Sequence, residues 1–351
     1  MIDSAQIDEV ILGNSNGAGE ENRNVARMAS LLAGFSTSVP GATVNRLCGS
    51  GLEAVIQASR EISVGDAQVV VAGGVESMTR APWVVPKPDR AFPRDHTTMF
   101  STTLGWRLVN PAFPDQWTVA LGEGAEILAD EFSISREEQD AFAVLSHQRA
   151  AAAWRRGDFD GEIVDVPTSS LETDESVRPD SSAETLAKLK PIFRPQGTVT
   201  AGNSSPMNDG AAALLLMSDE GLARFELEPL ARVAARAVSA VEPHRYGVGP
   251  VVAAQRALDR AGIGWADLSV VELNEAFASQ ALACMKSWPE LDPSIVNPNG
   301  GAIALGHPIG ASGARILVSL AHELRRRRAR WGVATMCIGV GQGIAVVLDA
   351  G

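Results

Sequence analysis

Val270-Val-Glu-Leu-Asn274, an apolar run closed by an amide, repeats a pattern set near the start of the chain by Val10-Ile-Leu-Gly-Asn14. Each run has the length and apolar content of a short buried strand. Reading outward, both predict the same succession: a helix, a second strand, then a glycine-rich turn bearing one reactive side chain. In the first copy the second strand is Pro40-Gly-Ala-Thr-Val44-Asn45 and the side chain is Cys48. In the second copy the helix covers residues 275–288, the strand is Pro293-Ser-Ile-Val296-Asn297 and the side chain is His307. Asn14 to Cys48 spans 34 positions and Asn274 to His307 spans 33, the mark of an internal duplication.

Beyond each reactive residue an amphipathic helix is expected, with Leu52, Val55, Ile56, Ser59 and Ile62 on one face in the first copy and Leu317, Leu320, Ala321 and Leu324 in the second. A hydrophobic strand follows in both, Gln68-Val-Val-Val-Ala-Gly-Gly and Trp331-Gly-Val-Ala-Thr-Met-Cys337. Alternating strands and helices predict an α/β chain of two similar halves with largely parallel sheets. A further strand near residues 231–238 and a helix over 250–261 precede the second copy, whereas the first begins directly at Ile2. The first half therefore reads as lacking one strand and one helix. Residues 78–207, with prolines at 82, 86, 88 and 93 and a helical stretch from Arg136 to Arg156, interrupt the repeat over too great a length for a simple loop. The expected division is an N-terminal half over 1–77 completed by about 208–228, an inserted loop domain over 78–207 that covers the site, and a C-terminal half over 229–351.

With 351 residues, 45% of them apolar, the chain can bury a sizeable core. A net charge of −12 and an isoelectric point near 5.0 offer no basic footprint for nucleic acid. Three cysteines without metal-ligand spacing suggest neither a disulfide framework nor a zinc site, and imply a reducing compartment. No apolar run reaches the roughly 20 residues of a membrane span, and Met1 is followed by polar residues, so a cytoplasmic location away from membranes is expected.

Cys48 follows a strand and precedes Gly49-Ser50-Gly51 and a helix expected to begin near Leu52. Helix-end amides and a neighbouring imidazole can bring a thiol from about 8.5 to about 7 or below, so a reactive thiolate is expected. Cys337 ends a strand and enters a turn with glycines at 339, 341 and 343, where a substrate can approach the backbone. Cys284 falls with Phe277 and Ala281 on one helix face and reads as core. His307 is held between Gly306 and Pro308, while the other four histidines read as solvated or packing residues. Asn274 ends a strand, where its amide could orient a water or an oxyanion. The run Arg325 to Arg328 reads as the wet end of a helix.

Five separated motifs bring these residues together: Val44-Asn-Arg-Leu-Cys48-Gly-Ser-Gly, Ala72-Gly-Gly-Val-Glu-Ser-Met, Thr200-Ala-Gly-Asn-Ser-Ser205-Pro-Met-Asn-Asp-Gly, Asn274-Glu-Ala-Phe-Ala, and Gly300-Gly-Ala-Ile-Ala-Leu-Gly-His307-Pro-Ile-Gly-Ala-Ser-Gly with Cys337-Ile-Gly-Val-Gly beyond. In this order they resemble the thiolase family, from Val10 to the C-terminus. The resemblance implies a thiolase-like fold of two duplicated α/β halves with stacked sheets and helices, an inserted loop domain, and assembly as a homodimer or homotetramer. It implies reversible condensation of acetyl-CoA with an acyl-CoA and thiolysis of 3-ketoacyl-CoA, with coenzyme A as substrate or product and no other cofactor. Cys48 matches the nucleophile, His307 the group that helps form its thiolate, and Cys337 the acid/base at the α-carbon. Asn274 with His307 would hold the enolate oxygen, and the N–H groups of Cys48 and Gly339 the thioester oxygen. Arg178 and Ser205 match positions that contact coenzyme A. The family's opening strand, expected at the centre of the first sheet, has no match here. Val340 stands where a glycine is common, a variation shared with thiolases of dicarboxylic ketoadipyl-CoA. Two other readings remain open: a decarboxylating ketoacyl synthase, which Cys337 disfavours, and a catalytically silent CoA-binding protein.

Overall fold

A computed structural model describes residues 2–166 and 169–351; Met1, where the first expected half begins, and residues 167 and 168 of the expected insertion lie outside it. The first half opens with strand β1 (Glu9–Gly13), helix α1 (Val25–Leu32), β2 (Gly41–Val44), α2 (Ser50–Val64) and β3 (Val69–Ser77). The intervening segment carries β4 (Trp83–Val84), β5 (Phe100–Ser101), α3 (Leu121–Glu131), α4 (Arg136–Arg156) and α5 (Ala183–Leu186) before β6 (Asp209–Met217) returns to the first sheet and α6 (Asp219–Phe225) follows. The second half comprises β7 (Arg232–Ala240), α7 (Gly249–Ala261), β8 (Leu268–Leu273), α8 (Ala278–Lys286), α9 (Ala302–Leu305), α10 (Ile309–Arg327), β9 (Trp331–Ile338) and β10 (Gln342–Asp349).

The first sheet has the order β2-β1-β3-β6, with β1, β2 and β3 parallel and β6 antiparallel. The second has the order β7-β10-β9-β8, with β8 and β9 parallel and β10 antiparallel to both neighbours. Thus β1, β3, β6 and α2 repeat as β8, β9, β10 and α10. In this arrangement β7 lies at an edge, beside β10, which corrects the expectation that the unmatched opening strand of the first half belongs at a sheet centre. Its place corresponds to the outer side of β6, where Leu215 is exposed.

Two local expectations also change. Residues 293–297 are not a strand: Pro293–Ile295 forms a 3₁₀ turn, and Val296 makes only an isolated bridge to Val271. Pro293 presets the turn, the Asp292 carboxylate accepts the Ser294 N–H at 2.8 Å, and Asn297 turns the chain with a φ of 46°. The Asn297 amide then does a strand's work, accepting the Leu273 N–H and donating to the Leu273 carbonyl, both at 2.8 Å. The helix expected over 275–288 is shorter, Ala278–Lys286, because Phe277 is extended and pairs with Ser204.

The core lies between the sheets. Helices α2 and α10 form the central layer, and Leu52, Val55, Ile56, Ile316, Leu317, Leu320 and Leu324 pack with Ile11, Val70, Met336, Ile338 and Ile344 in one buried cluster. The two helices approach backbone to backbone. A methyl group at Gly51 would stand 2.7 Å from the Ala314 nitrogen, and one at Gly313 2.8 Å from the Leu52 Cβ. The Arg325–Arg327 run closes α10, where cations complement the helix end, and Arg326 reaches Glu323 at 2.7 Å.

We expect Gly313→Ala to lower stability by about 1–3 kcal/mol, read as a lower urea midpoint, because the backbones cannot part without opening the core. An unchanged midpoint would show that the crossing is loose. A second expectation concerns Glu272 of β8, 2% exposed, whose carboxyl burial pushes up to about 8, with Arg315 opposing. Between 4.5 and 8 the folded chain keeps a proton that the unfolded chain releases, so stability falls as pH rises through that window. Glu272→Gln should flatten the decline of Tm across the same window; equal slopes would place an ionised carboxylate in the fold.

Candidate active site

The loops at one end of the central helices enclose a cavity of about 410 Å³, walled by Cys48, Met78, Leu121, Ile309, Gly339 and Val340 and by the loop from Thr102 to Leu108. Cys48 sits on a tight turn in which Leu47 has a φ of 48°. The Ser50 hydroxyl accepts the Arg46 N–H at 2.8 Å and donates to the Leu47 carbonyl at 2.6 Å, and the Asn45 side chain accepts the Leu47 N–H at 2.9 Å. Helix α2 starts at once, at Ser50 rather than near Leu52. The backbone N–H groups of Gly339 and of Cys48 itself point at the sulfur and favour a thiolate, yet burial outweighs them and, with the Glu76 charge, pushes the thiol up. The expectation of a depressed Cys48 is therefore corrected: in the free protein the sulfur holds its proton, because desolvation penalises S⁻ more than two amides repay.

Cys337, from the other half, lies behind the cavity wall, packed against its lining residue Leu121. It is 1% exposed near the end of β9 and packs with Tyr246, Ala276, Leu121 and Phe277. Burial first, and the Cys48 charge second, raise its thiol well above the ordinary range, so the two sulfurs lie within electrostatic reach of each other. Tyr246, the single tyrosine of the chain, feels both sulfurs and donates its hydroxyl to the Leu121 carbonyl at 2.9 Å. The β9–β10 turn carries Gly339, Val340 and Gly341; Val340 has a φ of 66°, a strained setting for a β-branched residue. Cys284, by contrast, is core: it is wholly buried, donates to the Gly247 carbonyl at 3.1 Å and is pushed up to about 12.

His307 precedes α10, its backbone N–H donating to the Asn208 side chain at 3.2 Å. Its Nδ1 lies 2.6 Å from the Ser312 hydroxyl, which also lies 2.9 Å from the Pro308 carbonyl. With the single hydroxyl proton on Pro308, Nδ1 carries the imidazole proton and Nε2 is left as an acceptor. Burial, with the Arg315 charge, lowers His307 to about 4, so the ring is neutral. Glu76 ties its segment to the first half: the carboxylate accepts the N–H groups of Ser15 at 2.9 Å and Gly310 at 2.8 Å and the Ser15 hydroxyl at 2.5 Å. Asn274, wholly buried after β8, donates its backbone N–H to the Thr335 carbonyl at 3.0 Å, two residues before Cys337. Both polar atoms of its side chain find no partner among the described residues, so the amide is free to bind another polar group. Neighbouring Glu275 has a purely internal task, accepting Ser146 and Asn297 at 2.7 Å and the Ile303 N–H at 3.1 Å.

Ser205 joins the inserted segment to the site's edge, its N–H and hydroxyl both donating to the Ala276 carbonyl at 3.1 Å. Arg178 stands apart from the cavity wall, beside His147, which accepts its backbone N–H at 3.2 Å. Glu76, Ser312 and Asn208 lie inside the motifs without a role assigned by them; a carboxylate after a glycine pair marks the first and a hydroxyl five residues past His307 the second. Tyr246 and the Thr102–Leu108 loop belong to no motif.

Known proteins resemble this chain over nearly its whole length. Residues 1–220 match the thiolase N-terminal domain and residues 227–350 the thiolase C-terminal domain. A β-ketoadipyl-CoA thiolase of Escherichia coli is 51% identical over 99% of this chain and 89% of its own. An acetyl-CoA acetyltransferase of Pseudomonas aeruginosa is 47% identical over 99% of this chain and 88% of its own. The crystal structure of human mitochondrial 3-ketoacyl-CoA thiolase in complex with CoA superposes with a TM-score of 0.93 at 39% identity, covering 100% of this chain and 88% of that one. Among the described residues no helix is long and apolar enough to cross a membrane. With both domain models matched along nearly its whole length, the chain belongs to the thiolase family of acyl-CoA acyltransferases.

Proposed function

We propose that this thiolase cleaves and forms 3-oxoacyl-CoA through an acyl group carried on Cys48, with Cys337 moving the α-proton, and that its preferred acyl chain ends in a carboxylate, as in 3-oxoadipyl-CoA. The observation that supports it most is the Cys48 sulfur on the cavity wall beside the Gly339 N–H, with the Cys337 thiol of the other half buried behind Leu121 of the same wall and within electrostatic reach of it. In thiolysis, the neutral His307 Nε2 takes the Cys48 proton as the sulfur attacks the ketone carbon. The N–H groups of Cys48 and Gly339 receive the resulting oxyanion. When the bond between C2 and C3 breaks, its electron pair passes to C2. The thioester oxygen of that enolate is met by the proton now on His307 Nε2 and by a water on Asn274. Cys337 gives its proton to C2, and acetyl-CoA leaves.

The second half-reaction reverses these roles. The Cys337 thiolate takes the thiol proton of incoming coenzyme A, whose sulfur attacks the acyl carbonyl, and Cys48 leaves as thiolate and recovers its proton from His307. Ser205 and Arg178 would bear on coenzyme A outside the acyl cavity, and no cofactor besides coenzyme A is needed. Cys337, raised by burial and 1% exposed, becomes a stronger base once deprotonated than a thiolate in water, as a weakly acidic α-proton requires. The carboxylate-terminated chain is supported by the names of several relatives near 50% identity, β-ketoadipyl-CoA thiolases from Escherichia coli and Pseudomonas, and by Val340 on the cavity wall.

Cys48→Ala should abolish the acyl-enzyme detected by mass spectrometry, whereas Cys337→Ala should still acylate yet lose condensation by about 10³-fold or more. Normal condensation by Cys337→Ala would remove it from the acid/base role. Because burial raises Cys48, its alkylation by iodoacetamide in the free enzyme should climb steadily with pH and not level off below about pH 9. A plateau near neutrality would reveal a preformed thiolate.

A further inference from the structure

We infer that Arg107 selects the acyl group, its guanidinium receiving the terminal carboxylate of the chain carried on Cys48. The inference rests on the dicarboxylate reading above and names the residue that enforces it. Arg107 lines the same cavity as Cys48, and the other charged side chain of that wall is Glu76. Glu76 is unavailable: it is 2% exposed and committed to the N–H groups of Ser15 and Gly310. The cavity is thus left with one uncompensated charge, and it is positive. Arg80, Arg194 and Arg245 each face a glutamate. Among the described residues, no carboxylate stands within ion-pair distance of Arg107.

The loop that presents Arg107 is anchored on both sides. The Asn16 amide donates to the Thr102 hydroxyl at 2.8 Å, that hydroxyl donates to the Pro82 carbonyl at 2.7 Å, and the Trp106 indole donates to the Val119 carbonyl at 3.0 Å. Arg107 is half-buried between Trp106 and Leu108, so a pair formed there is screened less than one in open water. The chemistry supplies a matching anion. Cleavage of 3-oxoadipyl-CoA leaves a four-carbon succinyl group on Cys48, its carboxylate carbon about 4 Å from the thioester carbonyl carbon. A planar fork suits that carboxylate, while a chain ending in methyl leaves the cation unpaired and costs discrimination.

The test compares thiolysis of 3-oxoadipyl-CoA with that of 3-oxohexanoyl-CoA, a chain of equal length ending in methyl, using wild type, Arg107→Leu and Arg107→Lys. The ratio of the two kcat/KM values in one preparation is independent of the folded fraction. Wild type should favour the dicarboxylate. Arg107→Leu should lose about 30- to 100-fold on it, mainly in KM, with at most about a threefold change on 3-oxohexanoyl-CoA, and Arg107→Lys should recover part of the loss. Equal losses on both substrates would assign Arg107 to coenzyme A or to the loop alone and overturn the inference. A wild-type preference that survives Arg107→Leu removes Arg107 but keeps the dicarboxylate reading, whereas a wild type that prefers 3-oxohexanoyl-CoA removes both.

Discussion

The near-contact of two helix backbones, α2 against α10 through Gly51 and Gly313, is the constraint on which the site depends. Each helix springs from the turn that bears a reactive residue, Cys48 before α2 and His307 before α10. Packing the two helices in one layer between two sheets brings both N-terminal ends to the same end of the layer. Glu76 then pins them, its carboxylate bridging the Ser15 and Gly310 amides from different halves. Duplication thus yields one site from two copies of a strand–turn–helix unit, with the third group, Cys337, delivered by the hairpin β9–β10.

Burial governs the chemistry of that site. It raises both thiols and holds the His307 imidazole neutral, at about 4. With both thiols raised and the imidazole lowered, these groups rest in their neutral forms, and the Cys48 and Gly339 N–H groups stand preset beside the Cys48 sulfur. Two charged side chains stand on the cavity wall, and they differ in how they are paired. Glu76 is matched by five backbone and side-chain donors, counting the Asn16 N–H at 3.2 Å and the Asn14 amide at 3.4 Å, whereas Arg107 has no carboxylate partner among the described residues.

Much of this was legible in the amino-acid order. The apolar runs ending at Asn14 and Asn274 and the helical periodicity beyond Cys48 and His307 specified two α/β copies, and glycines beside Cys48, His307 and Cys337 marked the turns that carry these side chains. Local patterns failed where side chains replaced backbone pairing. The run 293–297 has strand composition, but Pro293 and Asp292 make a turn, and the Asn297 amide completes β8 in place of a ladder. The same limit misplaced the opening strand, because whether a strand is central or at an edge depends on which partners flank it in space.

By itself, then, the sequence determined the repeated elements, the motifs and the family they belong to, since periodicity and turn chemistry act over a few residues. Only the tertiary structure decided that Cys48 is a half-buried thiol pushed up by desolvation, that the Asn274 amide finds no partner among the described residues, and that Tyr246 and Arg107 stand beside the site. Those properties arise from neighbours distant in sequence, whose desolvation and charge no local pattern records.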